Sequence, residues 1–118
     1  MRRLRSLALL ALLAGCARGN APAGCAPAEA SLENASRLAV EQLYLAPAGG
    51  TWGADLIGPA FPAGGDLASG ARLPLRFEGR GPYALRVVWV NGRAADMQGL
   101  DGCVIRRVIL LDGALRAE

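Results

Sequence analysis

The run from Tyr83 to Trp89, followed by Asn91-Gly92, constrains this chain more than any other stretch. Side chains alternate sides along an extended backbone, so Tyr83, Leu85, Val87 and Trp89 share one face and Ala84, Arg86, Val88 and Val90 the other. Both faces are mostly apolar, which predicts a strand inside a sheet rather than at its rim. Asn91 and Gly92 both tolerate positive φ and form the strongest short hairpin signal. A return strand follows over Ala94 to Leu100. Asp101-Gly102 marks another turn, and "CVIRRVILL" (Cys103 to Leu111) reads as a last buried strand. Upstream, Leu73, Leu75 and Phe77 alternate with Arg72, Arg76 and Glu78. Pro74 interrupts the outward set and has no N–H to donate, which predicts an edge strand.

The first half has two readings. "SLENASRLAVEQLYLA" fits a helix capped by Ser31, with Leu32, Ala35, Leu38, Ala39 and Leu43 along one face. As a strand it puts Leu38 and Val40 on one face but Leu43 and Leu45 on the opposite parity. A bulge at Glu41-Gln42 would reconcile them, because one extra residue restores the inward direction. Propensity alone does not separate helix from strand here.

The N-terminus reads as an address. Arg2, Arg3 and Arg5 precede the apolar run Leu7 to Leu13, which is followed by the small residues Ala14 and Gly15. That order describes a secretory signal over residues 1–15. The run falls short of the roughly 20 apolar residues that span a bilayer. "LAGC" (Leu13 to Cys16) resembles the bacterial lipobox, in which the cysteine becomes the acylated first residue of the mature chain. Cys16 is then a lipid attachment point. Arg2-Arg3 is continued by Leu4-Arg5-Ser6, a poor match to twin-arginine export, so ordinary secretion is expected. Ala17, with no aspartate after the cysteine, resembles lipoproteins passed on to the outer membrane, on its periplasmic face.

Removing residues 1–15 leaves 103 of the 118 residues, one domain's worth. All basic residues are arginines, and the mature chain keeps ten of them against ten carboxylates. A neutral balance gives no electrostatic footprint for nucleic acid. Arg106-Arg107 reads as the solvated edge of a strand. "ARGNAPAGCAPAEA" (Ala17 to Ala30) has almost no large apolar residue, so residues 16–30 are expected to be a lipidated flexible tether. The folded domain is expected over residues 31–113.

"NAS…LAVEQLYLAPAGGTWGADLIG" and "PYALRVVWVNGRAADMQGLDGC" together resemble a family of small bacterial secreted proteins of unknown function. They are often labelled Tat pathway signal proteins. The likeness covers about Asn34 to Leu111. Its most specific elements are Trp52-Gly53-Ala54-Asp55-Leu56 and Tyr83-Ala84-Leu85-Arg86-Val87-Val88. It implies a strand over Leu38 to Leu45 and an all-β fold, a small antiparallel β-sandwich. The family often has a cysteine before the tyrosine, where this chain has Gly81-Pro82, and an aspartate after it, where this chain has Ala84. Roles at those positions do not carry over.

Candidate functional residues are few. In "GGTWGADLIG" (Gly49 to Gly58), Trp52 either caps one end of the sandwich or lines a shallow site. Asp55 either accepts backbone N–H bonds that hold the turn or lies beside that site. Gly53 and Gly58 would supply positive φ or close approach. As a buried anchor, Trp52 would be worth about 3–5 kcal/mol against alanine. The chain has no histidine, which removes the commonest general base and metal ligand. With Cys16 acylated, Cys25 and Cys103 are left to pair with each other in an oxidising envelope, and their spacing is no zinc pattern. No catalytic residue, metal or cofactor is expected. Asn34-Ala35-Ser36 matches a glycosylation sequon but reads as a turn before the first strand. The expected function is therefore a membrane-anchored envelope lipoprotein whose domain binds a protein or glycan without catalysis. The alternative is a small inhibitor or accessory factor of an envelope enzyme. An exposed apolar patch around Trp52, Ile57 and Phe61 would favour either.

Overall fold

Seven strands and one helical turn build the part of the chain that the computed structural model describes, residues 24–118. They are β1 (Ala28–Asn34), β2 (Val40–Pro47), α1 (Ile57–Ala60), β3 (Arg72–Phe77), β4 (Tyr83–Trp89), β5 (Ala94–Leu100), β6 (Arg107–Leu111) and β7 (Ala114–Ala117). One sheet has the order β3-β1-β6-β7 and the other β2-β4-β5. Neighbours are antiparallel except β1 and β6, which run parallel with Ser31 opposite Arg107. The two sheets pack face to face as a small β-sandwich. Leu32, Leu75, Phe77, Val108 and Leu110 of the first sheet share one core with Val40, Leu43, Leu85, Val87 and Trp89 of the second. Burying each such side chain contributes about 1.5–3 kcal/mol.

The period-two reading holds where the alternation is strong. Strand β4 is the middle strand of its sheet, β3 with Pro74 lies at an edge, and β5 spans the expected residues. The β2–β4 register shifts between Val40 and Gln42, so a bulge lets both Val40 and Leu43 reach the core. The hairpin after β4 differs from the two-residue form. Trp89 N–H donates to Arg93 O and Gly92 N–H to Trp89 O, leaving Val90, Asn91 and Gly92 as a three-residue loop. Only Gly92 takes a positive φ, 86°, as a type I turn followed by a left-handed glycine requires.

Four expectations are corrected. "SLENASRLAVEQLYLA" is not a helix: β1 ends at Asn34 and a turn intervenes before β2, the strand implied over Leu38 to Leu45, which starts two residues later and leaves Leu38 exposed. Strand β1 begins at Ala28, inside the expected tether, because Ala30 and Leu32 find a buried face between β3 and β6. The domain also runs past residue 113, since Asp112-Gly113 turns the chain into β7, with Gly113 at φ 69°. Cys103 to Arg106 is not strand. Asp101 holds it as a turn, its Oδ1 accepting Cys103 N–H and its backbone oxygen accepting the N–H of Val104 and Ile105. Arg107 opens β6 and faces Glu118 at 3.4 Å and Glu33 at 3.9 Å.

Strand directions give the sandwich two distinct ends. At one, Cys25 is disulfide-bonded to Cys103, with Cα atoms 5.6 Å apart. The β3–β4 loop packs there as well: Gly102 N–H donates to Arg80 O, and Arg80 pairs with Asp101 at 2.6 Å. At the other end lie the β1–β2 connection, the β4–β5 hairpin and the β6–β7 turn. A seven-residue strand separates the ends by roughly 20 Å.

Candidate functional site

The glycine-rich segment is anchored by a residue other than its tryptophan. Asp55 Oδ1 accepts the N–H of Leu43 and of Ile57, each at 2.9 Å, and Leu56 N–H donates to Leu43 O. These bonds lay residues 55–57 along the edge of β2 that faces away from β4, just past the bulge. Ile57, 2% exposed, is the side chain that enters the core. Trp52 stays 38% exposed and leans on Tyr44 at 6.5 Å between ring centroids. The reading of Trp52 as a buried anchor is thus overturned, and that of Asp55 as a backbone acceptor is met. Gly53 and Gly58 have neither positive φ nor a close neighbour; Gly49, at φ 79°, makes the turn instead. No apolar patch of Trp52, Ile57 and Phe61 forms, because Ile57 is buried and Phe61 is partly buried against the core.

Trp89 is the buried tryptophan, and it belongs to a polar network. Its Nε1–H donates to Ser36 Oγ at 2.9 Å. Ser36 Oγ lies 2.5 Å from Asn34 Oδ1, which also accepts Ser36 N–H. Asn34 Nδ2 donates to the backbone oxygens of Leu38 and Leu67, both at 2.9 Å. Asn34 is fully buried and Ser36 almost so. Unpaired, such groups would cost about 1–3 kcal/mol each; paired, they fix the β1–β2 connection. The sequon thus ends the first strand instead of preceding it: Asn34 closes β1, Ser36 opens the bend that follows, and the asparagine is inaccessible to a glycan.

Above this network, at the end away from the disulfide, lies a cleft of about 390 Å³. Its size falls in the range of small-molecule sites. Ser36, Arg37 and Leu38 of the β1–β2 connection form one wall, and Trp89, Asn91 and Arg93 of the hairpin another. Asp112 and Gly113 close the third side. Arg37 is committed to Asp112: its backbone N–H donates to Oδ1 and its Nε to Oδ2, each at 2.8 Å. Those two bonds, backbone first, hold the Asp112 carboxyl below the usual carboxylate range. Asn91 Oδ1 accepts Arg93 N–H. The Arg93 guanidinium has no carboxylate partner among the described residues. Leu38 and Val90 stand exposed at this end, 40% and 43%.

Of the expected site residues, Cys25 and Cys103 are joined, and Trp52 and Asp55 lie on the β2–β3 connection, neither of them lining the cleft above Trp89. Cys16 and the signal lie outside the described residues. Among the described residues no group of three or more histidines, cysteines or carboxylates could hold a metal. The cleft was missed because its walls come from three connections far apart in sequence. Asn91 registered only as a turn residue. No family model matches the chain, and no curated protein or solved structure matches it significantly.

Proposed function

We propose that this protein is an envelope lipoprotein, held to a membrane through acyl chains on Cys16, whose β-sandwich is a non-catalytic binding module for a protein or glycan. One observation carries the binding half of this reading: the cleft opens at the end of the sandwich opposite Cys25. A domain tethered through residues before Cys25 would present that cleft away from the membrane. Ala17 to Gly24 is then the spacer, and a chain of that length reaches at most about 30 Å. The lipid half rests on the basic start, the short apolar run and "LAGC". Two or more acyl chains hold a protein stably on a bilayer, each buried methylene contributing about 0.8 kcal/mol. The lack of any histidine supports a role without acid–base catalysis.

Cells grown with labelled fatty acid test the anchor. Wild-type protein should carry the label, and Cys16→Ser should leave an unlabelled, unprocessed precursor. Wild-type protein that is unlabelled and soluble in the periplasm would refute it. Co-purification from crosslinked cells then identifies the partner.

A further inference from the structure

We infer that the cleft binds its ligand through a single carboxylate carried on an apolar body, with Arg93 as the pairing cation. This rests on reading the domain as a binding module and does not depend on the lipid. Arg93 is the one guanidinium lining the cleft without a carboxylate partner among the described residues. It belongs to the hairpin, and its terminal nitrogen lies 3.9 Å from where a Cβ on Gly113 would sit. The cation therefore stands over the bare backbone of the β6–β7 turn, inside the cleft.

The charge count selects the ligand. Two arginines and one aspartate line the cleft, leaving one net positive charge. A monoanion balances it; a phosphate dianion would add repulsion from Asp112 beside the same site. Asn91 supports the same choice. Its Oδ1 is occupied by the Arg93 N–H, so its Nδ2 is the part left to offer, a donor suited to a second carboxylate oxygen. The apolar body follows from Leu38, exposed in the wall of the cleft, with Val90 exposed in the hairpin loop next to Asn91. Such a carboxylate could be the C-terminus of a peptide ending in an aliphatic residue or the head of a free aliphatic acid. The chemistry at Arg93 is the same for both.

Purified full-length mature protein in detergent, labelled with ¹⁵N, would be titrated with four probes: acetyl-Ala-Leu, its C-terminal amide, hexanoate and inorganic phosphate. Acetyl-Ala-Leu, hexanoate or both should shift the amides of Arg37, Leu38, Arg93 and Gly113 saturably, and the amide probe should not. Which acid binds identifies the source of the carboxylate. Arg93→Gln, a change at an exposed position, should keep the wild-type spectrum and weaken binding about 10- to 100-fold, as loss of a charged hydrogen bond implies. Arg86→Gln, on the sheet away from the cleft, should leave affinity unchanged. The inference fails if neither acid binds, if the amide binds as well as the acid, if phosphate is preferred, or if Arg93→Gln binds like wild type. Lipid labelling is read separately, so failure here leaves the anchor standing.

Discussion

Replacing Gly102 by alanine isolates one contact that the fold depends on. A Cβ at Gly102 would lie 2.1 Å from Gly79 O, 2.8 Å from Phe77 Cβ and 3.0 Å from Phe77 Cγ. None of these can yield cheaply. Phe77 is fully buried at the end of the core, and Gly79 is held in a loop tied down by the bond from Gly102 N–H to Arg80 O. The Arg80–Asp101 pair and the disulfide at Cys103 restrain both sides of the contact. Overpacking of a tight site costs about 1–3 kcal/mol, and a buried N–H left without its partner adds about 1–3 kcal/mol. We expect a total near 3 kcal/mol, lowering Tm by about 12–24 °C for a domain of this size. Gly53→Ala is the control, since it would meet nothing within 4 Å and needs no positive φ. Its effect should stay within about 0.5 kcal/mol of zero. Thermal unfolding followed by far-UV circular dichroism, without reductant, measures both. A Gly102→Ala domain melting within about 3 °C of wild type, well under the shift of even 1 kcal/mol, would refute the packing argument; so would equal losses at the two glycines.

Other outcomes are expected from the same structure. Trp52→Ala should cost about 1 kcal/mol, the scale of one aromatic pair, while Trp89→Ala should cost about 3–5 kcal/mol; paired denaturant titrations decide, and equal costs would contradict the burial of Trp89. Reduction of Cys25–Cys103, which are 78 positions apart, should destabilise the domain by about 4.5 kcal/mol on the chain-entropy model, read from unfolding with and without reductant. The Asp112 carboxyl is more acidic in the folded chain than its ordinary value of 3.8. Its contribution is therefore complete above that value and fades as pH falls through the lower folded one. The Tm difference between wild type and Asp112→Asn should accordingly shrink on acidification below 3.8, and a difference that grows there would overturn the assignment.

What the sequence made legible were the strands whose inner residues are large. Leu85, Val87 and Trp89 announce β4, Leu73, Leu75 and Phe77 announce β3, and the parity break at Glu41-Gln42 announces the bulge. Strand β1 escaped because its inward residues are Ala30, Leu32 and Asn34, two of which carry no hydrophobic signal of their own. Asn34 is buried only because Ser36 and the backbone at Leu38 and Leu67 satisfy it. Strand β7 is four residues long and only half covered, too short for a period to register. Asp55 was recoverable because an aspartate among glycines commonly binds backbone N–H groups. Which tryptophan is buried was settled by tertiary position: Trp89 ends a central strand, whereas Trp52 lies beyond a turn at Gly49.

The parallel pairing of β1 with β6 sets the order in which this chain can become a domain. The hairpins β4–β5 and β6–β7 are closed by tight turns and can form locally, on the microsecond scale of such elements. Strand β1 has no local partner. It sits between β3 and β6, and its parallel neighbour does not exist until Arg107 to Leu111 have been made. Folding must therefore wait for contacts that span nearly the whole described chain, which places the domain among the slow, high-contact-order β folds, in the millisecond-to-second range. Until then Leu32, Leu75 and Phe77 have no complete sheet to cover. Once β6 docks, β1 is held on both sides and its release requires breaking its ladders with both β3 and β6.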